Sequence, residues 1–216
     1  LLEQILAGHS CITAGGELDY FKKLSESINN GVSTNDIFGT DSASRIAEEY
    51  LNVLTHISES SQFVTDKRPD NFLLIGLIKT IFPFAKILYT RRNKLENCLS
   101  IYFQQLDSSQ NYSSNLADIS HFYEQQEKLM EYWKSLFPDS IFEVGYEELV
   151  EDPKGTLKSF FESNEISWET NCDKFYLNKN HVDTASIWQV RKPLYKSSKD
   201  RGDNYRIYLT ERDNLE

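Results

Sequence analysis

The sequence lacks the features that define several classes of protein. Its three cysteines, Cys11, Cys98 and Cys172, lie far apart and form no CxxC pair. This spacing argues against a disulfide scaffold and favours a reducing compartment, although one disulfide beside a free thiol stays open. No run of about 18 apolar residues occurs, so no segment is predicted to span a membrane. The first residues also lack the basic and apolar regions of a secretory leader, and we therefore expect a cytoplasmic protein.

Positive charge and metal-ligand spacing are also scarce. The chain has 23 Lys and Arg residues against 33 Asp and Glu residues, a net charge of −10, which argues against a surface that neutralises nucleic-acid phosphates. His9, His56, His121 and His181 show no metal-ligand spacing with one another or with cysteine. No GxSxG nucleophile elbow occurs. We therefore expect no nucleic-acid partner, no bound metal and no serine-hydrolase site.

The composition is typical of a soluble globular domain. Hydrophobic residues make up 39% of the chain and charged residues 26%, and 216 residues suffice for one domain with its own core. Residues 1–7 resemble the last two turns of a helix that ends at Gly8. The sequence therefore predicts a single domain over residues 1–216 whose beginning lies upstream of residue 1.

Hydrophobic periodicity predicts helices that alternate with short strands. The predicted helices cover residues 41–56, 71–81, 95–105, 119–136 and 154–162, and the predicted strands cover 63–65, 86–90 and 141–144. This alternation is typical of βαβ crossovers, so we expect an α/β fold with a mainly parallel sheet flanked by helices. Ligands of such sheets bind beyond the carboxyl ends of the strands, which points to residues 66–68, 91–93 and 145–146.

Two arginines stand at one of these strand ends. Arg91 and Arg92 lead from a predicted strand into a helix that carries Ser100. A helix N-terminus has unpaired N–H groups and a partial positive charge, so an arginine and a hydroxyl there suit a phosphate. An exposed arginine pair neutralised by Glu96 remains the alternative.

Five segments, in the same order along nearly the whole chain, resemble segments of sulfotransferases. They are residues 1–9 with 15–18, residues 65–72, 92–103, 145–153 and 184–195. The first resembles the stretch just after the phosphosulfate loop of bacterial sulfotransferases often linked to tetratricopeptide repeats, which are relatives of the tyrosylprotein sulfotransferases. The third resembles the segment in which an arginine and a serine hold the 3′-phosphate of 3′-phosphoadenosine 5′-phosphosulfate (PAPS). Because the five occur in order, the resemblance is specific.

The resemblance implies a fold of the P-loop nucleotide-kinase type and a metal-independent reaction. A sulfuryl group would pass from the co-substrate PAPS to a hydroxyl or amine by in-line displacement, with catalysis by positioning, proton removal and charge stabilisation. Glu17 matches the family's candidate general base. Lys67 matches the residue that reaches the leaving oxygen or the sulfonate, and Ser186 matches a serine that supports the transferred group.

Four further residues match nucleotide-binding positions of the family. Arg92 and Ser100 match the pair that holds the 3′-phosphate, and Tyr146 matches a tyrosine that contacts the nucleotide. Arg201 lies where the family has a basic residue that closes over the 3′-phosphate. The aromatic residue usual beside it is missing here, which leaves Lys199 and Arg206 as substitutes.

Without the resemblance, plainer roles remain open for several of these residues. Glu17 could cap a helix near residues 18–24, where an acidic residue in the first turn is common. Lys67 could be a surface lysine paired with Asp66 or Asp70. Tyr146, an aromatic residue at a strand end, could belong to the core.

One family motif does not occur in the sequence. Sulfotransferases grip the 5′-phosphosulfate with a loop of the type Pro-Arg/Lys-Ser-Gly-Thr-Ser/Thr, whose N–H groups form an anion nest. We expect this loop, and the first strand of the sheet, immediately before Leu1.

Two alternatives remain: a small-molecule kinase with a Walker-type loop upstream and a need for magnesium, or a catalytically silent binding module. The sequence leaves open a small-molecule or peptide acceptor and a homodimer.

Overall fold

The computed structural model describes residues 1–31, 39–104, 106, 110–178, 194, 202–209 and 215. The chain divides into two compact units. Unit 1 contains residues 1–87 and 160–193, and unit 2 contains residues 88–159 and 194–216. Residues 186 and 201, for which the sequence predicts functional roles, lie outside the described residues.

Helices dominate the described chain, and they alternate with four short strands. The elements, in order, are α1 Leu2–Leu6, β1 Ile12–Ala14, α2 Tyr20–Asn29, α3 Thr40–Ile57, β2 Phe63–Thr65, a 3₁₀ helix Pro69–Leu74, α4 Ile75–Ile81, β3 Ile87–Arg91, α5 Lys94–Phe103, a 3₁₀ helix Asn111–Ser114, α6 Leu116–Leu136, β4 Ile141–Gly145, α7 Tyr146–Glu151, α8 Pro153–Thr156, α9 Lys158–Ser163, α10 Thr170–Asp173, and 3₁₀ helices Phe175–Leu177 and Gly202–Tyr208. None of the described helices is long and apolar enough to cross a lipid bilayer.

Strands β1 and β2 of unit 1 form a two-stranded parallel sheet. Ile12 stands opposite Phe63 and Ala14 opposite Thr65. The sequence predicted β2 with the observed bounds but gave no sign of β1. Three residues between two glycine-containing turns are too few for an alternation pattern, and pairing with β2 extends this segment.

The core of unit 1 lies between α2, α3 and α4. The apolar stripe of α3 faces inward, and the ring of Tyr50 packs 4.8 Å from the ring of Phe21, centroid to centroid. The buried side chains are Phe21, Ile46, Tyr50, Ile78 and Ile81. Burial of these large side chains holds the helices against one another, which fixes the position of the loops that follow β1 and β2 within the unit.

Unit 2 has a second two-stranded sheet, in which β3 and β4 are neighbours, and a core between α5 and α6. Asn93 caps α5 by accepting a hydrogen bond from the backbone N–H of Glu96. Asn115 caps α6, so this helix begins at Leu116, three residues before the predicted start. The buried core side chains are Leu95, Cys98, Leu99, Ile119 and Leu215.

The predicted α/β class with parallel pairing is confirmed, while several predicted bounds were wrong. The helix predicted over 71–81 begins instead as a 3₁₀ turn at Pro69 and becomes α-helical at Ile75. The helix predicted over 154–162 is two short helices, α8 and α9, separated at Leu157. All three cysteines are free thiols, of which Cys11 is half-buried and the other two are buried.

Replacing Gly15 by alanine should destabilise the protein more than replacing Gly16. An added Cβ at Gly15 would lie 2.2 Å from the carbonyl oxygen of Thr65, so the backbone must move, at a cost of about 3 kcal/mol. At Gly16 an added Cβ meets nothing within 4 Å, and only its φ of +71° opposes alanine, by about 1 kcal/mol. Urea denaturation of the two variants measures the difference, and equal losses would contradict the close approach at Gly15.

Candidate functional site

The loops that follow β1 and β2 lie side by side, because the hydrogen bonding of the strands continues past their ends. The backbone N–H of Gly15 donates to the carbonyl oxygen of Thr65 at 3.1 Å, and the N–H of Lys67 donates to the carbonyl oxygen of Gly16 at 2.7 Å. This continued register brings the next side chains together. Lys67 Nζ forms an ion pair with Glu17 Oε1, and each side chain is 37% exposed, so a ligand can reach both groups.

The structure also shows which partners Glu17 and Lys67 have. Helix α2 begins at Tyr20, with Asp19 as its N-cap residue, so Glu17 does not take the alternative role of helix cap. Lys67 pairs with Glu17 and not with Asp66 or Asp70, the partners that sequence reasoning offered. The structure therefore brings Glu17 and Lys67, two of the three residues predicted to be catalytic, into direct contact.

A carboxylate from α1 supports the turn before Glu17. Gly16 adopts a φ of +71°, a conformation that favours glycine. Glu3 Oε1 accepts a hydrogen bond from the N–H of Gly16 at 3.0 Å and another from the hydroxyl of Thr65 at 2.7 Å. One side-chain oxygen thus links α1, the turn after β1 and the end of β2.

A second carboxylate, Asp66, supports the loop from the other side. Its oxygens accept hydrogen bonds from the hydroxyl of Tyr50 at 2.8 Å, the side-chain amide of Asn71 at 3.2 Å and the N–H of Leu18 at 3.4 Å. Burial raises the pKa of Asp66, while its three donors favour the ionised form and oppose that shift. Burial, followed by the nearby Asp66 carboxylate, also raises the pKa of Tyr50, so the phenol stays protonated and donates.

The next residue of the same loop, Arg68, is held by two carboxylates. Its Nε and Nη2 donate to Asp70 at 2.9 and 3.2 Å, and its Nη1 donates to Asp19 at the start of α2. Hydrogen bonds from Arg68 lower the pKa of Asp70, against a desolvation effect that alone would raise it. The loop after β2 is therefore fixed by charged contacts on both sides of Lys67.

In unit 2 the two arginines predicted to bind an anion are both in contact with carboxylates. Arg91, at the end of β3, lies 3.0 Å from Glu127 and 3.4 Å from Glu143. Arg92 Nη2 lies 3.5 Å from Glu96 Oε2. The pairing with Glu96 that sequence reasoning kept as an alternative is thus present.

Arg92 also contacts a second predicted residue. Its guanidinium carbon lies 4.8 Å from the centre of the Tyr146 ring, in a cation–π arrangement. The hydroxyl of Tyr123 donates to the carbonyl oxygen of Arg92 at 2.9 Å, which fixes the backbone there. Tyr146 is the first residue of α7, directly after β4. The structure thus brings Arg92 and Tyr146 together where β3 and β4 end.

Ser100 and Glu96 lie on α5, the helix that begins after Arg92. Ser100 is half-buried, two helical turns along from Arg92. Glu96 is buried and accepts a hydrogen bond from the N–H of Gly202. The 3₁₀ helix Gly202–Tyr208 is therefore attached to the first turn of α5. Gly202 directly follows Arg201, the residue predicted to bind the 3′-phosphate.

Sequence reasoning missed the supporting residues Glu3 and Tyr50, and it placed Asp66 at a ligand-binding strand end without foreseeing its supporting contacts. Glu3 and Tyr50 belong to helical patterns. In such a pattern a glutamate is interpreted as a surface residue and a tyrosine as a core residue. Asp66 did carry a signal, because it directly follows a predicted strand, but its partners are distant in sequence. The pairing of β1 with β2 brings Glu3 and Asp66 to the turn that carries Glu17, and α3 brings Tyr50 to Asp66.

Comparison with known proteins identifies relatives of this chain. The model of the sulfotransferase family matches residues 1–170. An uncharacterized protein from Aquifex aeolicus (strain VF5) is 32% identical over 224 aligned residues, which cover 97% of this chain and 29% of that protein. The chain thus spans less than a third of the length of this relative.

Two solved structures share the fold. The sulfotransferase domain of the Synechococcus PCC 7002 olefin synthase has a TM-score of 0.71 at 16% identity, covering 99% of this chain and 87% of that domain. The sulfotransferase domain from the curacin biosynthetic pathway has a TM-score of 0.69 at 15% identity, covering 99% and 89%.

Replacing Tyr50 by phenylalanine should destabilise the protein by about 1–3 kcal/mol at pH 7, because the partly buried Asp66 carboxylate loses a donor. Loss of that donor raises the pKa of Asp66 further, so the folded variant binds a proton more tightly and the deficit should shrink as the pH falls toward about 4. Urea denaturation at both pH values measures this. Tyr132→Phe, at an exposed position, is the control, and a pH-independent deficit would contradict the role of Asp66.

Proposed function

Because this chain belongs to the sulfotransferase family, we propose that it transfers a sulfuryl group from PAPS to a hydroxyl or amine acceptor. The observation that carries the proposal is the contact of Glu17 with Lys67, where two parallel strands end. The carboxyl ends of parallel strands are where α/β proteins bind ligands. A carboxylate and an ammonium that are both accessible there suit proton removal beside charge stabilisation.

In this proposal Glu17 is the general base. The acceptor oxygen attacks sulfur, its proton passes to the Glu17 carboxylate, and the bond from sulfur to the bridging phosphate oxygen breaks, which leaves adenosine 3′,5′-bisphosphate. The Lys67 ammonium stabilises negative charge on the bridging oxygen or on the sulfonate oxygens. The Glu17–Lys67 ion pair holds the two groups beside each other, as this division of roles requires.

We assign nucleotide binding to Arg92, Ser100 and Tyr146. Arg92 stands next to the N-terminus of the ten-residue helix α5, where N–H groups and the helix dipole favour an anion. Its contact with Glu96 is long, at 3.5 Å, so a doubly charged phosphate can compete for the guanidinium. Ser186 and Arg201, outside the described residues, are proposed to support the transferred group and to close over the 3′-phosphate.

Further parts of the proposal rest on the family and the composition. They are a metal-independent reaction, a small-molecule or peptide acceptor, no binding to nucleic acid and a cytoplasmic location. The kinase alternative differs in its donor and its metal. Turnover of ATP that magnesium stimulates and PAPS does not support would favour the kinase, whereas turnover of PAPS in the presence of a chelator would exclude it.

Arg92→Ala should weaken binding of adenosine 3′,5′-bisphosphate to the full-length protein by roughly tenfold to a hundredfold, because a charge-assisted hydrogen bond to phosphate contributes about 1.5–3 kcal/mol. Isothermal titration calorimetry measures this affinity. Arg45→Ala removes an arginine from an exposed ion pair in unit 1 and should leave the affinity unchanged. Unaltered affinity in Arg92→Ala would contradict the assignment of the phosphate site to Arg92.

Glu17→Gln should lower the turnover number by about 10²–10⁴-fold, because the amide cannot take the acceptor proton. Affinity for the bisphosphate should change little. Measurement of turnover and bisphosphate binding on the same preparation separates the two effects. An equal loss of both would mean that Glu17 is a structural residue and not the base.

A further inference from the structure

Glu17 lies between two backbone N–H groups that are each bound by a carboxylate. The N–H of Gly16, on one side, donates to Glu3 at 3.0 Å. The N–H of Leu18, on the other side, donates to Asp66 at 3.4 Å. The backbone on the two sides of Glu17 is thus tied to different parts of unit 1.

The first of these ties runs to α1 and to β2. The Glu3 oxygen that binds Gly16 also accepts the hydroxyl of Thr65, the last residue of β2. Glu3 is only partly exposed, so its hydrogen bonds are shielded from competing water. The turn at Gly16 therefore cannot shift without losing a contact that also fixes β2.

The second tie runs to α3 and to the loop that carries Lys67. Asp66 precedes Lys67 in sequence, and its other donors are Tyr50 from α3 and Asn71 from the following 3₁₀ helix. The oxygen that accepts Leu18 also accepts Asn71. One carboxylate thus fixes the backbone beside Glu17 and the backbone beside Lys67.

We propose that Glu3 and Asp66 are positioning residues that hold the Glu17 carboxylate in place for proton transfer. This inference rests on the proposed role of Glu17 as the base. A general base must stand within hydrogen-bond reach of the proton that it removes. A glycine turn would otherwise give Glu17 wide freedom, and a displacement of about 1 Å can cost as much as a hundredfold in rate. The two ties restrict that freedom together with the hydrogen bond from the N–H of Lys67 to the carbonyl oxygen of Gly16.

The kinetic test compares variants that keep or remove the side-chain oxygen of residue 3 or 66 that accepts the backbone hydrogen bond. Glu3→Ala and Asp66→Ala should each lower kcat at least about tenfold while affinity for adenosine 3′,5′-bisphosphate stays within about twofold. Glu3→Gln should recover most of the activity, because its amide oxygen can still accept both hydrogen bonds. Matched controls are Glu48→Ala on the exposed face of α3 and Asp139→Ala at an exposed position after α6.

Double variants show whether the two carboxylates act through Glu17. In the Glu17→Gln background, Glu3→Ala and Asp66→Ala should lower the residual kcat by less than about twofold, because the group that they position is gone. A loss as large as in the wild-type background would overturn the proposal. An activity of Glu3→Gln as low as that of Glu3→Ala would overturn it for Glu3. Asp66→Asn, which keeps the side-chain shape, replaces Asp66→Ala if the alanine variant does not fold.

Amide hydrogen exchange tests the ties without any activity measurement. Glu3→Ala should speed exchange of the Gly16 amide at least about tenfold, and Asp66→Ala should do so for the Leu18 amide, while Glu48→Ala should leave exchange at both amides unchanged. Unchanged exchange would overturn the proposal. The expected exchange in a protein that transfers no sulfuryl group would instead count against the proposed function and leave the two ties intact.

Discussion

The hydrogen-bonded register between β1 and β2 is the constraint on which the rest of unit 1 depends. The sheet has only three residue pairs, yet its hydrogen bonding extends to Gly15 and as far as Lys67. This extension needs a residue without a side chain at Gly15, because the carbonyl group of Thr65 occupies the space. Helix packing holds the strands in place, but the register decides which side chains meet. A shift by one residue would exchange the sides of the sheet on which they lie and separate Glu17 from Lys67.

Carboxylates hold the cations of both candidate sites. Lys67 and Arg68 contact acidic partners in unit 1, and Arg91 and Arg92 contact acidic partners in unit 2. The excess of acidic residues thus coexists with basic groups placed at strand ends. An anion that binds such a group must compete with a carboxylate already in contact with it. This competition favours ligands with more than one negative charge, in the correct geometry, over simple anions.

The sequence predicted the fold class and the long helices because these follow from periodicity within one segment. The 21-residue helix α6 is an example. It also pointed to particular strand ends, since the rule for ligand positions in α/β sheets needs only the order of the elements, and the structure brings Glu17 and Lys67 together beyond one of them. It did not predict β1, whose three residues are extended because of their pairing partner. It missed the contacts of Glu3 and Tyr50 for the same reason, because each joins positions more than a dozen residues apart.

The shared oxygen of Glu3 links three positions that are distant in sequence. A hydroxyl at position 65, a glycine at position 16 and an acceptor at position 3 meet at one atom. A replacement at one of these positions changes which residues can stand at the other two. Substitutions at the three positions should therefore be correlated in evolution. Among relatives, loss of the hydroxyl at position 65 should accompany a change of residue at position 3. Correlated substitutions at positions 3, 16 and 65 among relatives would then report this three-way contact, which no pattern within one sequence segment shows.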